Sequence, residues 1–267
     1  MKGIIGAIVG DIIGCPYEKK SNSTKDYNFE LLTPESHVTD DSTCTIAVAD
    51  WLLNSDRSKD ELINKLKYWC NKYSYGFAPR FQSWVTSESR EPYNSFGNGS
   101  AMRVSPVAWV ANSLDECIKL AKISAEVTHN HPEGIKGAIT IAVAIWLYRN
   151  GYSKDDIINY ITNETDYKLQ SYDDLKKSHQ FKCICQISVP ACLTCWYEST
   201  SYEDCIRKAV SLGGDADTEA AIAGSICNAI EETSINDEFL YKLCEDGYIP
   251  NDFIDILNDF HNKYEVS

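Results

Sequence analysis

The sequence predicts an all-α protein. Most segments repeat their apolar residues at three- and four-residue intervals, many open on a Ser, Asn or Thr able to cap a helix, and strand-like alternation is scarce. The 267 residues fit one large domain spanning 1–267, because single cores stop growing at roughly 250–300 residues. No Pro-, Gly- or Ser-rich linker divides the chain, and a hydrophobic share of 43% is ample for a packed core.

The first element is the run MKGIIGAIVGDIIG. It imitates a secretion signal, but Asp11 interrupts it and no A-x-A cleavage pattern follows, so it reads as a first core helix. Its continuation, GDIIGCPYEKK, places Glu18 on the loop after that helix. Next comes HVTDDSTCTIAVADWLL, an apolar helix whose start Thr39 or Asp40 can cap and whose first-turn acids suit the helix dipole. In DELINKLKYWCNKY, Leu62, Leu66, Trp69 and Tyr73 share one face. In SLDECIKLAKISAEV, Ser113 is the cap and Cys117, Leu120, Ala121 and Ser124 lie along one side. GAITIAVAIWLY and AAIAGSICNAI are apolar nearly all round, which places them at the centre of the bundle. SKDDIINYI, SYEDCIRKAVSL and NDEFLYKLCEDG have capped starts and polar faces, which places them at the periphery.

A net charge of -14 and a pI near 4.8 oppose attraction to nucleic acid or to anionic membranes. No apolar run approaches the roughly 18 residues of a membrane span. Eleven cysteines, an odd number scattered along the chain, read as reduced thiols of a cytoplasmic protein. Cys183, Cys185, Cys192 and Cys195 have the ligand chemistry for zinc, but their irregular spacing within a small-residue helix favours core packing.

One acidic helix start can be a cap; a second one suggests a shared ligand. LGGDADTEAAIAGSI sets Asp215, Asp217 and Thr218 at the head of an apolar helix, as VTDDST does with Thr39, Asp40 and Asp41. Carboxylates one or two residues apart converge only where a loop enters a helix, and Gly213 and Gly214 supply that freedom before Asp215. Facing carboxylates repel unless cations sit between them, and oxygen-only ligands favour Mg²⁺, Mn²⁺ or Ca²⁺ over zinc. Such two-metal chemistry leaves phosphoester and glycosidic hydrolysis both open. In YNSFGNGSAMRVSPVAW, Gly97, Asn98 and Gly99 precede a helix and can turn backbone N–H groups towards an anion. EVTHNHPEGIKGA sets His129 and His131 at another helix entrance, where they can meet a phosphate or a ribose hydroxyl.

In this order, GAIVGDIIGCPYE, VTDDST, SFGNGSAMR, VTHNHPEGIKGA, SVPACL and GGDADTEAAIAG resemble the ADP-ribosylglycohydrolase family over nearly the whole chain. GGDADT with the upstream TDD is the most specific part, and Ser42 stands where that family commonly has Thr. The resemblance implies a compact, orthogonally packed helical bundle with a binuclear Mg²⁺ or Mn²⁺ centre. Carried over by motif position, Thr39, Asp40, Asp41, Asp215, Asp217 and Thr218 would hold the metals. Glu18 would be the mobile acid near them, with Asp40 or Asp41 orienting water. Ser95, Gly97, Asn98 and Gly99 would cradle the pyrophosphate or its ribose, Phe96 would stack on adenine, and His129 would touch the phosphate-ribose portion.

The implied reaction is cleavage at C1″ of an ADP-ribosylated protein side chain or small molecule, releasing ADP-ribose from a protein expected to be monomeric. The alternatives are a crystallin-like or ADP-ribose-binding protein without catalysis, and a two-metal phosphohydrolase. The linkage cleaved is left open and would be decided by loops within 19–36 and 74–94.

Overall fold

The computed structural model describes residues 2–266. In chain order its α-helices are α1 Ile5–Glu18, α2 Asp40–Asn54, α3 Lys59–Lys72, α4 Pro79–Thr86, α5 Gly99–Met102, α6 Ser105–Val110, α7 Leu114–Glu126 and α8 Pro132–Arg149. They continue as α9 Lys154–Glu164, α10 Tyr172–Ser178, α11 Cys185–Tyr197, α12 Tyr202–Val210, α13 Ala216–Cys227, α14 Asp237–Glu245 and α15 Asn251–Phe260. A 3₁₀ turn, Glu231–Thr233, and a π-helical turn, His261–Glu265, complete the set. Among the described residues the one β contact is an isolated antiparallel bridge between Gly97 and Ile184.

The closest helix pair is α1 with α13. Gly6, Gly10 and Gly14 recur every four residues and so line one face of α1. A Cβ on Gly6 would sit 2.6 Å from the Gly224 carbonyl oxygen, one on Gly10 2.6 Å from the Ala220 carbonyl carbon, and one on Gly14 2.6 Å from the Asp217 Cα. The two backbones therefore touch along the whole stripe, and larger residues there would wedge them apart. Around this pair, α2 packs on α3 and α15, α7 on α8, and α11 and α12 on α13.

The buried apolar side chains form a continuous cluster from Ile4 to Phe260. As the apolar patterning predicts, α8 and α13 are central, and α3, α9, α12 and α14 carry buried residues on one side. Residues near the first and last of those described come together, the Ile4 N–H donating to the Glu265 carboxylate at 2.7 Å, and the Asn228 side chain after α13 donates to the Gly3 carbonyl at 3.0 Å.

Side-chain caps set the helix starts. Ser58, Ser113, Ser153, Ser171, Ser201 and Asn236 each accept a backbone N–H from the first turn that follows. One boundary departs from expectation. Pro16 does not end α1, which runs on to Glu18, so Glu18 is the last helical residue rather than a loop residue.

Candidate active site

The contact of α1 with α13, and of both with the start of α2, brings carboxylates from distant parts of the chain together. Oxygens of Asp11, Asp41 and Asp217 lie within 4.8 Å of one another, as do those of Glu18, Asp215 and Asp217. Asp41 and Asp217 occupy the first turns of α2 and α13, and Asp215 is the N-cap of α13. Gly213, at φ +66°, makes the left-handed turn that delivers Asp215.

Asp11 is a site residue that the motifs did not single out. It is fully buried on α1, and its Oδ2 accepts the backbone N–H of Thr39 at 2.8 Å and that of Ser42 at 3.1 Å. The Ser42 hydroxyl donates to the same oxygen, and the Thr39 hydroxyl donates to Oδ1 at 2.7 Å. Asp11 is thus occupied as the anchor of the α2 N-terminus. The available signal was a lone charge in an apolar core helix, since such a charge must find donors.

Asp41 is placed differently. Its Oδ2 accepts from the Thr218 hydroxyl at 3.2 Å and lies 3.3 Å from the Thr39 hydroxyl oxygen, whose proton goes to Asp11, while its buried Oδ1 has no hydrogen-bond partner. Burial, reinforced by neighbouring carboxylates, pushes the pKa of Asp41 and Asp217 well above the ordinary value. For Asp40, which keeps some surface on the cleft, loss of water and then the charges of Asp11 and Asp215 push it up to about 8. Glu18, half-buried, is raised by desolvation and then by Asp215. A buried carboxylate oxygen without a donor, among further carboxylates and a threonine hydroxyl, is the donor set that a hard divalent cation satisfies.

Most of these groups form one wall of a cleft of about 500 Å³, within the usual size of small-ligand sites. Glu18, Asp40, Asp215, Asp217 and Thr218 line it on the acidic side. Ser95, Gly97, Asn98, Gly99 and His129 line another part, with Arg80, Tyr93 and Arg103. Asp41 and Thr39 lie just behind the wall, both buried.

The glycine loop is tied down from within. The Gly97 N–H donates to Ser95 Oγ at 3.1 Å, and the Asn98 N–H to the Cys183 carbonyl at 3.3 Å. The Asn98 side chain donates to Asp215 at 2.7 Å and to Ser188 at 3.0 Å, so it couples the loop to the carboxylates. Phe96 lies outside the cleft lining, 42% exposed, with its ring tilted against His131 at 5.2 Å.

His179 and Glu219 were also missed in the motifs. They form a buried pair at 2.8 Å below the Gly213–Asp215 turn, where His179 backs Gly214. Burial lifts Glu219 to about 7 against the opposing hydrogen bond from His179. Cys185, Cys192 and Cys195 are buried, whereas Cys183 is exposed and lines the cleft. Cys185 donates to the Gly97 carbonyl and Cys192 to the Glu219 carbonyl, at 3.1 and 3.3 Å, so these thiols serve separate backbone contacts.

A family model described as ADP-ribosylglycohydrolase matches residues 1–266. The chain is 23% identical to ADP-ribosylhydrolase ARH3 of Mus musculus, with 99% of this chain and 91% of that protein covered. It is 24% identical to ADP-ribosylarginine hydrolase Tri1 of Pseudomonas putida, with 85% and 69% covered. A solved structure titled ADP-ribosylglycohydrolase-related protein complex superposes with a TM-score of 0.74 at 20% identity, covering 97% of this chain and 95% of that one.

Proposed function

From the premise that the chain belongs to the ADP-ribosylglycohydrolase family, we propose that this enzyme cleaves the glycosidic bond at C1″ of an ADP-ribosylated protein side chain or small molecule. Intact ADP-ribose is the product, and the reaction depends on two divalent cations, Mg²⁺ first and Mn²⁺ second. The observation that carries the metal dependence is Asp41 Oδ1, a buried oxygen with no donor in a site crowded with carboxylates.

Asp40, Asp41, Asp215 and Asp217, with the hydroxyls of Thr39 and Thr218, would hold the cations. When bound, the cations would offset part of the repulsion among these acids and polarise the distal ribose hydroxyls and water. Asp11 keeps the α2 end in register by its hydrogen bonds to Thr39 and Ser42. Asn98 fixes Asp215 from the glycine loop. Glu18, at the end of α1 with an oxygen among those of Asp215 and Asp217, is the group for proton transfer as the leaving group departs. The oxocarbenium-like state that develops is stabilised by the surrounding acidic wall. On the other side, Ser95, Gly97, Gly99 and His129 would seat the phosphates and the adjoining ribose, with Phe96 at the adenine end.

One relative's name specifies an arginine linkage and the other's names none, which makes the leaving group the first thing to determine. Arginine-, serine- and ester-linked ADP-ribose substrates, incubated with Mg²⁺ and analysed by mass spectrometry, separate the readings. Intact ADP-ribose from one linkage supports glycosidic cleavage and names the leaving group. AMP with ribose phosphate would instead assign a phosphohydrolase, and binding of ADP-ribose without turnover of any linkage would favour a binding protein.

A further inference from the structure

We infer that Arg103 and Thr128 are positioning residues that fix the tautomer of His129, so that its Nε2–H is a constant hydrogen-bond donor into the cleft. The inference rests on the reading of that cleft as the ADP-ribose site.

The chain of donors begins at Arg103, fully buried at the end of the short helix α5. Its Nη2 donates to the Ser124 carbonyl at 2.7 Å and to Thr128 Oγ1 at 2.8 Å. A guanidinium donates and never accepts, so Thr128 Oγ1 is the acceptor in this contact. The threonine hydroxyl keeps one proton of its own, and the acceptor within its reach is His129 Nδ1 at 2.7 Å. Nδ1 therefore accepts, and a neutral imidazole must carry its proton on Nε2. The opposite tautomer would put two donors on Thr128 Oγ1 and leave a buried hydroxyl proton without a partner.

The ring also stays neutral. Burial, followed by the charges of Arg103 and Arg80, holds the His129 pKa well below its ordinary value. Its Nε2 faces the glycine loop: a Cβ on Gly99 would stand 3.2 Å from it, and one on Gly97 3.5 Å. The two glycines thus leave open the space into which Nε2–H points. An oxygen acceptor, such as a phosphate or ribose oxygen of ADP-ribose, is the chemistry this donor selects. The ring serves there as a fixed donor and not as an acid or base.

Two readouts test this on the whole chain. Long-range ¹H–¹⁵N spectra of the histidines, with His129 assigned by loss of its signals in His129→Ala, report which nitrogen carries the proton. Calorimetric titration with ADP-ribose reports affinity. The wild type should show a protonated Nε2 and a bare Nδ1. Thr128→Val should gain the Nδ1–H form and lose roughly 3- to 10-fold in ADP-ribose affinity; Thr128→Ser should restore both. A wild-type ring protonated at Nδ1 would overturn the inference, as would a folded Thr128→Val with unchanged tautomer and affinity. The wild-type spectrum decides even if Thr128→Val does not fold. Failure of the wild type to bind ADP-ribose would strike the reading of the cleft, while the spectrum would still judge the tautomer.

Discussion

Asp11 and Asp41 are both buried acids at the same junction, yet their oxygens are used in opposite ways. Asp11 receives backbone and hydroxyl donors from Thr39 and Ser42, whereas Asp41 keeps one oxygen without a donor. The first organises the helix start, and the second supplies the oxygen to which the proposed metal site is assigned. The paired acids of TDD and DAD were legible because two like clusters in one chain are hard to explain as caps. Asp11 was visible as a lone charge in an apolar run, but its role was not, because its donors come from residues far along the chain. Arg103 was hidden for a similar reason: its importance lies in Thr128 and His129, which belong to another motif. At this scale Glu18 can be judged directly. Glu18→Gln removes the transferable proton with little change in shape, so turnover should fall by about 100-fold or more while ADP-ribose affinity holds. Steady-state kinetics beside calorimetry checks this, and unchanged turnover would remove Glu18 from the chemistry.

Helices α1 and α13 carry the site as a pair. Their glycine and alanine stripes allow backbone contact, and this contact sets the distance between the acids of α1 and those of α13. Apolar periodicity revealed both helices but not their partnership, because small residues announce a close neighbour without saying which one. The expectation of Glu18 on a loop gives way to a helix that continues through Pro16, with Ile5 to Pro16 buried against its neighbours. The stripe makes a prediction. Gly10→Ala gains about 1 kcal/mol of helix propensity, but its Cβ would lie 2.6 Å from the Ala220 carbonyl carbon. Overlap of a backbone with a backbone has no flexible side chain to yield, so the variant should lose about 1–3 kcal/mol net in urea unfolding. Equal or greater stability would mean that the helices are not held at this distance.

Taken as a whole, the molecule carries a net charge of -14 and gathers several of its acids at one buried junction. Their mutual repulsion helps raise the pKa of Asp41 and Asp217, and divalent cations are the ligands that would relieve it with an all-oxygen donor set. Among the described residues no helix is long and apolar enough to cross a membrane. The all-α class was readable from periodicity and caps, whereas the cleft needed the three-dimensional meeting of α1, α2, α13 and the glycine loop. The most direct test of the account is the rate of ADP-ribose release from the linkage that the chain cleaves, measured in EDTA, Mg²⁺ and Mn²⁺ for the wild type and for Asp41→Asn. The account predicts release with either cation, loss in EDTA that returns on adding metal, and a fall of at least about 100-fold in Asp41→Asn. Release that persists in EDTA at the full rate, or an Asp41→Asn enzyme as fast as the wild type, would contradict it.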